Sequence, residues 1–249
     1  MEKELVPLNQ SSSKLEKYVK LGTALISSAG PIGATIATVI NDSICAAQNS
    51  RMVDFVNELY FLFQEQNKEI ENIKTKFEML FSNSASTLLF ELCEKASVQT
   101  NSNTLHHCYA YFIFNSIENK TLEDSRNEKL LQTLSELKEE EIIHLISFRQ
   151  HKALGCSSEF DDKYKEIIMP KSRTDHIPEN DIHNAFRDEY ILTLEQKGLI
   201  TIIMKNNGTK LPISNNDVHI TDYGKLLVEA IYDENFFGKL NGASKHETE

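Results

Sequence analysis

The side chains able to do chemistry are few and scattered along the chain. His106 and His107 stand beside Cys108, a trio of residue types suited to metal ligation. Adjacent positions on a helix diverge by about 100°, so the three cannot face one ion. His144 and His151 share a helix face seven residues apart, with no acidic or cysteine partner at ligand spacing. His176 and His183 straddle a loop and a helix start. The runs Glu139-Glu140-Glu141 and Asp161-Asp162 have the type for general acid–base work, but such runs are ordinarily solvated surface. No glycine-rich phosphate loop, Gly-x-Ser-x-Gly elbow or His-Glu-x-x-His occurs. The four cysteines, Cys45, Cys93, Cys108 and Cys156, form no Cys-x-x-Cys pair and read as small buried residues of a reducing compartment. The expectation is a non-enzymatic chain without catalytic, cofactor-binding or metal-ligating residues.

Elements that could position such groups are mostly helical. Only 9 Gly and 5 Pro in 249 residues favour long helices over a turn-rich sheet fold. The length allows two packed units. From Arg51 to Phe81, Val56, Phe63, Ile70 and Phe77 repeat every seven residues, with Leu59, Ile73 and Leu80 in the complementary position. That is one apolar stripe on a long helix, fit for a bundle core or a coiled coil. Leu88, Leu89, Leu92 and Ala96 mark a second helix, and Leu105 to Ile117 a third. Leu130 to Leu137 and Ile142 to Ile146 continue the series, the latter behind the acidic run, which suits the exposed N–H groups of a helix start.

The segment Leu21 to Ile40 has no charged residue over 20 positions. Its length would span a bilayer, but Gly22, Gly30, Pro31 and Gly33 with several Ser and Thr make it far less apolar than a spanning helix. It is a candidate self-association or membrane-contact segment. Nothing in Met1-Glu2-Lys3-Glu4 resembles a signal peptide, so the expected location is cytoplasmic, with the membrane periphery as an alternative through 21–40.

The C-terminal part changes character. A helix over about 180–197 should end at Gly198 in the left-handed conformation, with Ile182, Phe186, Tyr190, Leu192 and Leu194 as its buried residues. Leu199 to Met204 reads as a strand, Asn206-Asn207-Gly208 as a hairpin turn, and Val218 with Ile220 as the returning strand. Thr221 can cap a last helix bearing Leu226, Leu227, Ala230 and Ile231. The fold class is therefore mainly α: an N-terminal antiparallel helical bundle followed by a C-terminal winged-helix-like domain with a small β-hairpin. The expected organisation is an N-terminal segment 1–20, a bundle 21–154, a linker 155–178, the winged-helix-like domain 179–237 and a polar tail 238–249.

A winged helix raises the question of DNA, and charge answers against it. The chain carries 26 Lys and Arg against 37 Asp and Glu, a net charge of −11. Non-specific nucleic-acid affinity rests on cations neutralising phosphates. The candidate recognition helix holds Glu179, Asp181, Asp188, Glu189 and Glu195 against Arg187 and Lys197. Arg187, Lys205 and Lys210 are the candidate interaction residues, for a protein partner first and DNA second.

The order of features also carries a resemblance. Gly30-Pro31-Ile32-Gly33, a lone Arg51 opening an amphipathic helix, a bundle, Gly198-Leu199-Ile200 and a closing Thr221-x-x-Gly224 resemble prokaryotic proteins of the Abi-alpha type. Unlike that pattern, the last helix has no arginine after its glycine. The resemblance implies antiviral, abortive-infection-like defence by protein–protein contact, with oligomerisation or membrane perturbation as the effector step. It supplies no catalytic residues. The alternative is a winged-helix transcriptional regulator or adaptor with a helical dimerisation domain.

Overall fold

The computed structural model describes residues 84–122, 124–150, 159–171, 178–203, 213 and 217–233, together with Arg51, Phe55, Glu58, Leu59, Phe61, Leu62 and Lys76. The segment 21–40 with Gly22, Gly30, Pro31 and Gly33, most of the stripe over 51–81, Lys205 and Lys210 in the hairpin turn, and the 238–249 tail lie outside the described residues. Among the described residues the protein is mainly helical, with eight helices and one two-stranded antiparallel sheet. None of these helices is long and apolar enough to cross a membrane. The chain divides into two compact units, Met1–Leu131 and Gln132–Glu249.

In the first unit, α1 (Ser84–Val98) packs against α2 (Asn103–Glu118). Leu89, Phe90, Cys93 and Ser97 form the buried face of α1, at spacings that keep them on one side of a helix. Ser102 caps α2, its hydroxyl accepting the Leu105 N–H at 3.1 Å. Nearly all of α2 from Thr104 to Ile117 is buried, which its aromatic and aliphatic run permits. The helix ends with Lys120 at φ 56°, the Lys120 N–H on Ile117 O and the Thr121 N–H on Ser116 O. This is the left-handed stop usually filled by glycine. Of the expected 51–81 stripe, Leu59 is described and buried. Phe55 and Leu62, which the stripe did not include, are buried at i−4 and i+3 from it, and Phe55 meets Phe90 at 5.8 Å between ring centroids. The boundary between the units falls inside α3 (Ser125–Ser135).

The second unit is built around α4 (Glu139–Gln150). Every residue of α4 from Glu141 to Phe148 is buried. A helix apolar on all sides must be surrounded. Its neighbours are α6 (Lys165–Ile168), α7 (Pro178–Gln196), strand β2 (Val218–Ile220) and α8 (Asp222–Ile231). The helix therefore lies in the same compact unit as the C-terminal elements, Gln132–Glu249. The acidic run opens α4 as its composition predicts, but Glu141 is 3 % exposed and folds back to accept the Lys138 N–H at 2.8 Å. The short α5 (Glu159–Lys163) sets Phe160 against Tyr164 and, edge-on, against Tyr232.

After α7, Gly198 at φ 71° ends the helix, with its N–H on Glu195 O and the Leu199 N–H on Leu194 O. Strand β1 (Ile200–Ile202) then pairs antiparallel with β2 in the register Ile200↔Ile220, Thr201↔His219, Ile202↔Val218. Thr221 caps α8: its hydroxyl accepts the Gly224 N–H at 3.0 Å and lies 2.7 Å from Gly198 O.

Candidate interaction surface

Helix α7 turns Asn184 and Arg187 inward and, with Asp188 and Glu195, holds three stretches of backbone. Asn184, wholly buried, accepts the Lys171 N–H at 2.8 Å and donates to Lys171 O at 3.0 Å. One turn on, Arg187 donates from Nε to Ile168 O at 2.8 Å and from Nη1 to Ile213 O at 2.7 Å. Asp188 accepts from Arg187 at 3.2 Å and from the Ile213 N–H at 3.0 Å. Glu195 accepts the Ile202 N–H at 3.0 Å. Burial lowers the Arg187 pKa from its usual value and the Asp188 carboxylate acts the other way; the guanidinium remains a cation.

Arg187 is thus no surface residue. It was expected beside Lys205 and Lys210 on a contact surface, yet only 1 % of it is exposed, and its donors serve the carbonyls of 168 and 213. Counting charges along a helix cannot reveal this. A guanidinium carries five donors in a fixed fork, which suits it to holding several backbone carbonyls as well as to phosphates.

The outer face of α7 is apolar instead. The buried residues are Asn184, Arg187, Ile191 and Leu194, at i, i+3, i+7 and i+10. Ile182 is 57 % exposed, Phe186 54 % and Leu192 38 %, so of the five residues expected in the core only Leu194 is fully buried. Two of the four inward residues are polar while three large apolar side chains face outward, and exposed large side chains on one face mark contact surfaces. Ile182 and Phe186 lie one above the other at i and i+4. Glu179, Asp181 and Glu189 are exposed around them.

Among the described residues, His106, His107, Cys93 and Cys108 are buried in the first unit. His106 Nε2 lies 2.9 Å from Ser97 O, so that nitrogen carries the proton. His107 Nδ1 meets Glu58 at 2.6 Å and its ring stacks on Tyr111. Cys93 and Cys108 are buried, and burial pushes the Cys93 thiol well above its ordinary range, away from the reactive thiolate. Among the described residues no group of three His, Cys, Asp or Glu could hold a metal ion. A shallow cavity of about 160 Å³ lies among Leu88, Leu89, Leu92 and Leu122, with Asp124 and Glu128 at its rim.

His144, on α4, is wholly buried, stacks on Phe148 and hydrogen-bonds through neither ring nitrogen. Burial, then the charges of Arg187 and His183, lower its pKa from 6.5 to about 3. The unfolded chain therefore takes up the proton first as pH falls. The stability held above about pH 6.5 declines from there toward pH 3, by about 2 kcal/mol at pH 5 from this group alone. His144→Leu should remove that share of the slope, so urea midpoints at pH 7 and pH 5 should lie closer together than in the wild type. An unchanged gap would show that His144 is not the group responsible.

Comparison with protein-family models, curated proteins and solved structures yields no match for this chain.

Proposed function

We propose that this protein is a non-enzymatic component of antiviral, abortive-infection-like defence that works by protein–protein contact. In this reading α7, the β1–β2 pair and α8 form a winged-helix-like domain, and α1 and α2 belong to an antiparallel helical bundle. Support for the domain is the order helix, strand, strand, helix with an antiparallel register and a capped final helix. The observation that carries the contact role is the outer face of α7, where Ile182 and Phe186 are each more than half exposed among acidic side chains. Defence rests on the resemblance to Abi-alpha-type proteins in the order of motifs. The segment with Gly22, Gly30, Pro31 and Gly33 is the proposed effector arm, through self-association or membrane contact.

The regulator reading loses ground on one observation. Of its three DNA-facing cations, Arg187 is buried and committed to backbone carbonyls. A major-groove helix needs cations and hydrogen-bonding groups at its surface. The exposed acids of α7 would instead meet phosphates with like charge.

Phage plating on a bacterial host expressing the protein tests the proposal. The wild type should reduce plating, and Ile182→Ser/Phe186→Ser should restore it while leaving the urea midpoint near its wild-type value, since both side chains already face solvent. Equal plating with and without the wild-type protein across a broad phage panel removes the defence reading. Tight, sequence-selective DNA binding at moderate salt removes the protein-contact reading.

A further inference from the structure

We propose that the outer face of α7 docks a basic amphipathic helix of a partner protein, one whose apolar ridge is flanked by Lys or Arg. The inference rests on the protein-contact reading above and specifies the partner's chemistry. Ile182 and Phe186 form an i, i+4 pair, the spacing at which one helix offers a ridge to the groove of another. Glu179 precedes Ile182 by three residues and Glu189 follows Phe186 by three, so carboxylates bracket the pair along the axis, with Asp181 to one side. No cation of α7 offsets Glu179 and Glu189: Arg187, its single Arg or Lys, points inward, and Lys197 just beyond its end is held by Glu136 at 2.8 Å.

Charge complementarity selects the occupant. A second copy docked face to face through this surface would set Glu179 and Glu189 against their own counterparts, because a two-fold contact repeats one patch on both sides. Nucleic acid and anionic lipid meet the same repulsion. A helix with Lys or Arg beside its apolar seam fills both requirements: side chains to cover Ile182 and Phe186, and cations for Glu179 and Glu189.

Two synthetic helices of about eighteen residues test this, with the same leucine seam but flanked by Lys in one and Glu in the other. Fluorescence anisotropy with the full chain should give binding of the Lys-flanked peptide alone. Ile182→Ser/Phe186→Ser should weaken it about tenfold or more, the loss of a central apolar anchor. Glu179→Lys/Glu189→Lys should reverse the preference toward the Glu-flanked peptide, whereas Glu128→Lys on α3 should not. Binding that survives Ile182→Ser/Phe186→Ser, or equal affinity for both peptides, overturns the proposal. So does a dimer in sedimentation that those serines dissolve, which would make a second copy the occupant. If the serine variant loses phage protection but the peptides show no preference, only the partner chemistry fails. Sequence-selective DNA binding would remove the contact reading itself.

Discussion

Arg187→Ala should lower the free energy of unfolding by about 3–5 kcal/mol, the range for stripping a buried, multiply bonded charge from its partners. The mechanism is specific. The guanidinium joins Ile168 O to Ile213 O, two points of the chain 45 residues apart. Truncation leaves both carbonyls without a cationic donor, the Ile168 carbonyl in a buried place and the Ile213 carbonyl in a part-buried one. Asp188 would keep its bond to the Ile213 N–H but lose its neighbouring cation. Arg187→Lys should recover less than half the loss, since one ammonium lacks the planar fork needed to reach two carbonyls in fixed directions. Urea unfolding gives the magnitude. Amide exchange at residues 168–171 and 213 should show those segments loosening first. A loss under about 1 kcal/mol would place Arg187 among ordinary surface pairs and undo the account.

Gly224→Ala presents two principles of opposite sign. In the first turn of a solvated helix the change should stabilise by up to about 1 kcal/mol. Here a Cβ at 224 would lie 2.1 Å from Leu199 O and 2.9 Å from Ile220 Cγ1. The isoleucine could turn aside, but a backbone oxygen cannot. Leu199 O also receives the Thr221 N–H at 3.0 Å, so moving it disturbs the cap as well. Forced overpacking typically costs about 1–3 kcal/mol, and with a backbone oxygen as the obstacle the clash wins over propensity. Thermal or urea unfolding should therefore show a marked loss for Gly224→Ala. Thr221→Ala should cost about 1 kcal/mol by comparison, the usual value for a lost cap. An alanine variant as stable as the wild type would mean that α8 does not approach β1 this closely.

The two cases bear on what a sequence can disclose. Gly198, the acidic start of α4 and Thr221 were legible because each acts within a few residues of itself. The glycine of Thr221-x-x-Gly224 was visible as a pattern, but its cause was not. The obstacle to a side chain there is Leu199 O, which only the folded chain brings near. Helix α7 misled in a different way. Its apolar residues cover more than half the circumference, so periodicity alone does not fix which face is buried. The choice fell to Asn184 and Arg187, whose side chains satisfy backbone groups at 168, 171 and 213, far away in sequence. Pairing the charged residues by helix position could never have found those acceptors. The exposed pair Ile182 and Phe186 was hidden by the same rule that makes apolar mean buried.

The enclosure of α4 governs how the molecule can be dissected. A fragment that starts at the proline-bearing stretch, near residue 155 or 179, would leave out the helix on which α6, α7, β2 and α8 all rest. Such a piece would expose the sockets emptied by Ile142, Ile143, Leu145 and Ile146, every one of them at 0 % exposure, and would clump rather than report on recognition. Scissors belong upstream of Lys138, whose amide closes the first turn of that helix.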